Sequence, residues 1–272
     1  MWTGMLSGKT VVVKYGGNAM KNEQLKKAVV EDVVFFHKAG VRVVLVHGGG
    51  PEIEAMLKAL SIESRFVDGF RYTDRRTMEV VQMVLCGRVN KDLTALVVQS
   101  GAAAIGLSGI DGGLLKAHKT DAGDFGFVGD IDAVNTGLLN VLLDAGLLPV
   151  VSTVALNTEA GGPLSLNVNA DTAATCIACA MKAEKLVMMT DIAGILRTVS
   201  DPESLVPEIA ASEIPGLKES GVISGGMIPK VDGAVKAVEN GVRDVLIIDG
   251  REEHALRNAL LSGKKSGTTI TR

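Results

Sequence analysis

Short uninterrupted apolar runs recur along the chain, separated by stretches in which apolar side chains return every three or four positions. Thr10-Val11-Val12-Val13-Lys14-Tyr15 and Val41–His47 show the first pattern, and Glu23–Lys38 between them shows the second. A continuous apolar run marks a strand covered on both faces, whereas a 3.6-residue period marks an amphipathic helix. The alternation goes on with a helix opening at Pro51 and running to about Leu60, a long helix over Asp74–Gln99, and strands over Ala104–Ser108 and Leu147–Ser152. Proline just inside a helix and glycines just before it are start signals, and Gly48-Gly49-Gly50-Pro51 supplies both. Asp111–Lys119 and Gly126–Ala133 are mixed and glycine-bearing, as hairpin strands are. Asp171–Lys182, Met227–Asn240 and Glu253–Leu261 predict helices, and Leu186–Thr190 and Val245–Ile248 predict strands.

Apolar strands alternating with helices predict an α/β fold: a three-layer αβα sandwich around a mostly parallel central sheet, with ligands at the carboxyl ends of the strands. No low-complexity segment divides the chain. A composition shift near Leu186, followed by the longer connection Arg197–Ser224, predicts two lobes, 1–185 and 186–272, that share one sheet.

Composition narrows the function. A net charge of −3 argues against a general nucleic-acid or membrane-surface binder, and no apolar run has the length of a membrane span. Met1–Lys9 has neither the apolar core nor the cleavage pattern of a signal peptide, and three cysteines fit a reducing, cytoplasmic setting. Gly8-Lys9-Thr10 imitates a phosphate-binding loop but precedes a strand instead of following one. His47-Gly48-Gly49-Gly50 imitates an esterase oxyanion loop, yet no Gly-x-Ser-x-Gly accompanies it; Ile53 stands where a dinucleotide fingerprint needs its last glycine. Cys176-Ile177-Ala178-Cys179 has metal spacing but lies in an alanine-rich helical run without a second pair, so two small buried residues are expected.

What remains is a constellation suited to anions. Gly16-Gly17, Gly48-Gly49-Gly50 and Gly225-Gly226 are turns through which backbone N–H groups can approach a phosphate. Lys14 and Lys230 stand near two of them, and a lysine at the end of an apolar strand is costly unless it meets an anion. Asn167-Val168-Asn169-Ala170-Asp171 crowds more polar side chains before a helix than one cap requires. Arg71 precedes a second helix cap, where its guanidinium could fork onto a carboxylate.

In this setting Lys14-Tyr15-Gly16-Gly17-Asn18-Ala19-Met20 resembles the opening motif of the acetylglutamate kinases, within the amino acid kinase superfamily. The resemblance continues in order through His47–Pro51, Gly69-Phe70-Arg71, Val84–Lys91, Gly106–Gly109, Val128-Gly129-Asp130, Asn167–Asp171 and Gly225–Lys230. It implies the amino acid kinase fold and phosphorylation of the side-chain carboxylate of N-acetyl-L-glutamate by ATP, with Mg²⁺ carried on the nucleotide and no protein-built metal site. The same resemblance implies that Lys14 and Lys230 contact the transferring phosphoryl group and that Asp171 organises them. Arg71, Asn167, Gly48 and Gly49 would hold the amino-acid substrate; Gly16, Gly17, Thr190, Asp191, Gly225 and Gly226 would hold ATP. Related activities with the same outline are an aminoadipate kinase of lysine biosynthesis and a silent nucleotide or amino-acid sensor.

Assembly is expected from the amino-terminal segment. Arginine-inhibited hexameric members of the resembled family carry an extra helix before the first strand, whereas Met1–Lys9 is too short for a stable one. A homodimer that responds weakly to arginine is therefore expected, with the homohexamer as the family's other assembly. The tail Ser266-Gly267-Thr268-Thr269-Ile270 pulls the other way, since it resembles part of the arginine site of sensitive relatives. A nitrogen-signalling protein partner is left open.

Overall fold

A computed structural model describes residues 6–17, 20, 22–67, 69–198, 200–261 and 266–272. Asn18 and Ala19 of the opening motif, and the first five residues of the amino-terminal segment, lie outside the described residues.

The chain begins with β1 (Thr10–Tyr15), α1 (Glu23–Lys38), β2 (Arg42–His47) and α2 (Gly50–Ala59). A two-stranded hairpin, β3 (Phe66–Val67) and β4 (Phe70–Arg71), leads into one helical rod. The rod is not the single α-helix expected over 74–99. It runs as α3 (Arg75–Gln82), a π-helical stretch (Met83–Val89) and α4 (Asn90–Gln99). Next come β5 (Ala104–Gly109), β6 (Leu115–Lys119), β7 (Gly129–Val134), α5 (Thr136–Asp144), β8 (Leu148–Asn157), β9 (Ser165–Asn167) and α6 (Ala170–Ala180). The remainder is β10 (Lys185–Thr190), β11 (Glu208–Ala210), α7 (Ile214–Glu219), α8 (Met227–Glu239), β12 (Asp244–Asp249), α9 (Ala255–Leu261) and β13 (Thr268–Thr271).

Eleven of these strands form one sheet in the order β11-β13-β12-β10-β1-β2-β8-β6-β7, with β5 and β9 paired to β8. The first strand of the chain is thus interior, parallel to β10 on one side and β2 on the other. Within this sheet, among the described residues, only the pairs β12–β13, β6–β7 and β8–β9 are antiparallel. The mostly parallel three-layer fold agrees with the apolar patterning. The carboxyl-terminal tail is a sheet strand: Thr268 is fully buried, and its hydroxyl donates to the Val206 carbonyl at 2.6 Å and accepts from the Ile195 N–H at 2.8 Å.

Side chains alternate across a strand, so β1 feeds two cores. Val11, Val13 and Tyr15 pack on one face with Val29, Val33 and Phe36 of α1, Leu93 of α4 and Leu256 of α9. Val12 packs on the other with Ala173 and Ile177 of α6 and Val231 and Ala234 of α8. Each fully buried aliphatic side chain of this kind contributes about 1.5–3 kcal/mol. The same parity assigns Lys14 to the Val12 face, under α6 and α8. It assigns His47, one position beyond Val46, to the opposite face, against the helical rod.

Candidate functional site

Lys14 is only 8% exposed at the carboxyl end of β1. A buried ammonium needs a counter-charge, and Asp171 in the first turn of α6 supplies it, with Nζ and Oδ1 2.8 Å apart. Asn169 fixes that turn by accepting from the N–H groups of Asp171 and Thr172 at 2.8 and 3.2 Å. On the same sheet face, α8 brings Lys230 to the other carboxylate oxygen at 3.1 Å. Burial pushes the Asp171 carboxyl up, but the charges and hydrogen bonds of Lys14 and Lys230 outweigh it and hold the group below the usual carboxylate range. One carboxylate thus holds two ammonium groups, which leaves an uncompensated positive charge for a ligand anion.

Gly48-Gly49-Gly50 joins β2 to α2 beside this cluster. A Cβ on Gly49 would sit 2.7 Å from Leu85 Cδ2 and 3.3 Å from Val89 Cγ2, both on the π-helical stretch, and one on Gly48 would sit 3.3 Å from Ala170 Cβ. The glycines therefore allow the turn to be squeezed between the rod and α6. The Gly48 N–H is committed to the Tyr15 carbonyl at 3.1 Å, so Gly48 contributes close approach and no free donor.

Arg71, buried at the end of β4, donates to Glu54 Oε2 at 2.7 Å, to the Ser64 hydroxyl and to the Gly50 carbonyl at 3.3 Å, and stacks 4.6 Å from the Phe66 ring centroid. Hydrogen bonds from Arg71, then from Ser64, hold the Glu54 carboxyl below its usual range against a weak opposing effect of burial. Asn167 donates to Thr73 Oγ1 at 3.1 Å, and that hydroxyl donates to the Arg71 carbonyl at 2.8 Å, so the two polar groups are braced together. All of this borders one cleft of about 510 Å³, lined among others by Lys14, Gly16, Gly17, Gly49, Arg71 and Asp171.

The structure thus brings Lys14, Asp171, Gly16, Gly17, Gly48, Gly49, Arg71 and Asn167 to one cleft, with Lys230 joined through Asp171. Thr190, Asp191, Gly225 and Gly226 do not line it. They lie where β10 ends and α8 begins: Thr190 accepts from the Ile192 N–H at 3.0 Å, Gly225 has φ +54°, and Gly226 precedes the first residue of α8. Cys176 and Cys179 are free thiols, half-buried rather than buried, because they fall on the flank of α6. Sequence reasoning missed Glu54, Ser64 and Thr73. Glu54 has one detectable signal, an acidic residue just after a glycine-rich helix start; Ser64 and Thr73 have none.

The sequence model of the amino acid kinase family matches residues 9–249. Acetylglutamate kinase of Heliobacterium modesticaldum is 48% identical over 97% of this chain and 92% of its own length. Acetylglutamate kinase of Clostridium kluyveri is 47% identical over the same shares. Among solved structures, N-acetylglutamate synthase from Neisseria gonorrhoeae, complexed with coenzyme A and N-acetyl-glutamate, superposes with a TM-score of 0.83 and 26% identity; all of this chain is covered, against 61% of that one.

Proposed function

The chain belongs to the amino acid kinase family, and on that basis we propose that it is an ATP-dependent acetylglutamate kinase of arginine biosynthesis. The observation that carries this proposal is the Lys14–Asp171–Lys230 cluster at the edge of a glycine-walled cleft. A carboxylate nucleophile, with an ordinary pKa near 4.3, is already ionised at neutral pH and needs no general base. The obstacle is the approach of two anions, which fixed cations and oriented N–H groups reduce.

Under this proposal a substrate γ-carboxylate oxygen attacks the γ-phosphorus of ATP while the bond to the ADP oxygen breaks, giving N-acetyl-L-glutamyl 5-phosphate and ADP. Lys14 and Lys230 neutralise the phosphoryl oxygens, and Asp171 keeps the two ammonium groups from repelling each other apart. Arg71 and Asn167 hold the α-carboxylate and its neighbouring polar atoms. Gly16, Gly17, Thr190, Asp191, Gly225 and Gly226 serve the nucleotide, with residues 186–272 as the nucleotide lobe and 1–185 as the amino-acid lobe. The residues present fit a polyphosphate: the cluster has one cation to spare, and two glycine turns border it. Mg²⁺ belongs to the same proposal as part of the nucleotide substrate, where it shields the phosphate charge. A cytoplasmic location and a homodimer complete it; light scattering during gel filtration reads the assembly directly.

ADP release measured over a panel of acidic amino acids tests the activity. N-acetyl-L-glutamate should be turned over far faster than glutamate or aminoadipate, because a free ammonium in a site for a neutral amide is desolvated without a partner, and faster than acetylaspartate, whose carboxylate is one methylene short of the reacting position. Faster turnover of free glutamate or aminoadipate would sink the assignment.

A further inference from the structure

His47 has no place in the chemistry above, yet it is fully buried at the end of β2, next to the glycine turn. Its Nδ1 lies 2.9 Å from the Gly48 carbonyl oxygen, and its Nε2 lies 3.1 Å from Nδ2 of Asn90. A carbonyl oxygen can only accept, so Nδ1 carries the proton. Nε2 is then a bare lone pair, which the Asn90 amide N–H approaches. The orientation of Asn90 is set by its surroundings: the Val150 and Leu107 carbonyls lie 2.9 and 3.1 Å from Nδ2 and share its two N–H groups with His47 Nε2, while Oδ1 accepts from Lys91 at 3.2 Å. The imidazole is thereby held in one tautomer and one rotamer.

The consequence lies in the next peptide. No cis bond occurs among the described residues, and in a planar trans peptide the C=O and the following N–H point in opposite directions. Drawing the Gly48 carbonyl inward to His47 turns the Gly49 N–H outward, toward the cleft that both glycines line. Local sterics cannot do this alone, since a Gly–Gly peptide has no Cβ on either side to resist a flip. The neighbouring backbone groups are already occupied. The Gly48 N–H goes to the Tyr15 carbonyl at 3.1 Å, and the Gly49 carbonyl takes the Ile53 N–H at 2.9 Å. The Gly49 N–H has no partner among the described residues.

We propose that His47 is a positioning residue: it locks the Gly48–Gly49 peptide so that the Gly49 N–H stands ready as a donor to the oxygens of the reacting carboxylate or phosphoryl group, an inference that rests on the kinase reading. A flipped peptide would present the Gly48 carbonyl instead and repel the same anion. Asn90 acts one step further back, by keeping Nε2 unprotonated and Nδ1 the donor.

The test uses two substitutions of like polarity. An asparagine amide nitrogen can occupy the place of imidazole Nδ1, whereas a glutamine amide nitrogen reaches the place of Nε2. His47→Asn should retain kcat close to that of the unaltered protein. His47→Gln should lower kcat by about 100-fold, the loss of one aligned oxyanion donor, with little change in KM for ATP. Equal kcat values for the two variants would overturn the lock, whatever their melting temperatures. Amide hydrogen exchange on the unaltered protein covers the case in which a variant fails to fold, and it needs no activity. The Gly49 amide should exchange readily in the free protein while the Gly48 amide is protected. A protected Gly49 amide in the free protein would refute the lock even if the kinase assay succeeds, and a freely exchanging one would support it even if that assay fails.

Discussion

Two cation–carboxylate clusters border the same cleft, and they are built differently. In one, Asp171 sits between Lys14 and Lys230, two positive charges on one negative, mostly screened from solvent. In the other, Arg71 meets Glu54 one to one, and the Glu54 side chain is 51% exposed. The first is over-charged and rigid: removing a lysine cannot be offset by water, and its spare charge is available to an anion at all times. The second is neutral and replaceable, because a partly exposed carboxylate can be exchanged for a substrate carboxylate at small cost. Under the kinase proposal, the difference separates a device that stabilises charge during reaction from one that selects and orients a substrate.

The largest effect should come from breaking the first cluster. Lys14→Ala and Lys230→Ala should each lower kcat by about 10²–10³-fold while KM for acetylglutamate changes little, since the lost charge matters most in the transition state. Steady-state kinetics with varied acetylglutamate measures this, and a Lys230→Ala enzyme with near-normal kcat would remove that lysine from the reaction.

Acid should expose a second contrast, between the charged cluster and the neutral His47 beside it. Burial is the main reason that the His47 pKa falls from 6.5 to about 4; Lys91 lowers it further, and the bond to Gly48 opposes. The unfolded chain therefore takes up this proton more readily, so folding stability should fall as pH drops from about 6.5 to about 4, by about 3 kcal/mol in all. The carboxyl of Asp171, held below 3.8, should release its own contribution only at lower pH still. Urea denaturation from pH 7 to 4 reads the slope, and its persistence unchanged in His47→Asn would assign it elsewhere.

Arg71→Ala should act on binding: KM for acetylglutamate should rise by about 10–100-fold, the worth of a charge-assisted hydrogen bond, with a smaller change in kcat. A kcat loss as large as that of the lysine variants would erase the distinction between the clusters. Glu54→Gln is the subtlest. It removes the competing charge but keeps an oxygen acceptor for Arg71, so KM should fall by about 2–5-fold. A rise in KM would recast Glu54 as a residue that orients Arg71 rather than competes for it.

How far the sequence could be read depended on how local each cause was. Lys14 was conspicuous because three valines precede it and a lone charge in such a strand demands a partner. Asn169 and Asp171 were visible as excess polarity before a helix. Ser64, by contrast, lies in a connecting segment and meets Arg71 only because the β3–β4 hairpin folds back over α2. The π-helical turn at Met83–Val89 was read as plain α-helix, since one widened turn hardly disturbs an apolar period; Leu85 and Val89 in it pack against Gly49, far earlier in the chain. The helix Thr136–Asp144 went unpredicted because it spans only nine residues, although Thr136, Asn140 and Asp144 return every fourth position as a polar stripe. Gly48-Gly49-Gly50 was legible as an anion-binding turn, but nothing local gave His47 a role, and only its distances to Gly48 and Asn90 show what it holds.

The sequence by itself determined the layers of this protein: apolar strands that must be covered on both faces, helices with one greasy side, and charges too costly to bury without an anion. Those are properties of single segments in water, fixed by hydrophobic period and solvation. The tertiary structure decided which segments became neighbours. It placed β1 between β10 and β2, so that lysines 216 positions apart in the chain (230 less 14) share one carboxylate. It also turned His47 toward the rod rather than toward Asp171. Contacts between distant segments are settled by the packing of the whole sheet and its two covering layers, and no local pattern encodes them.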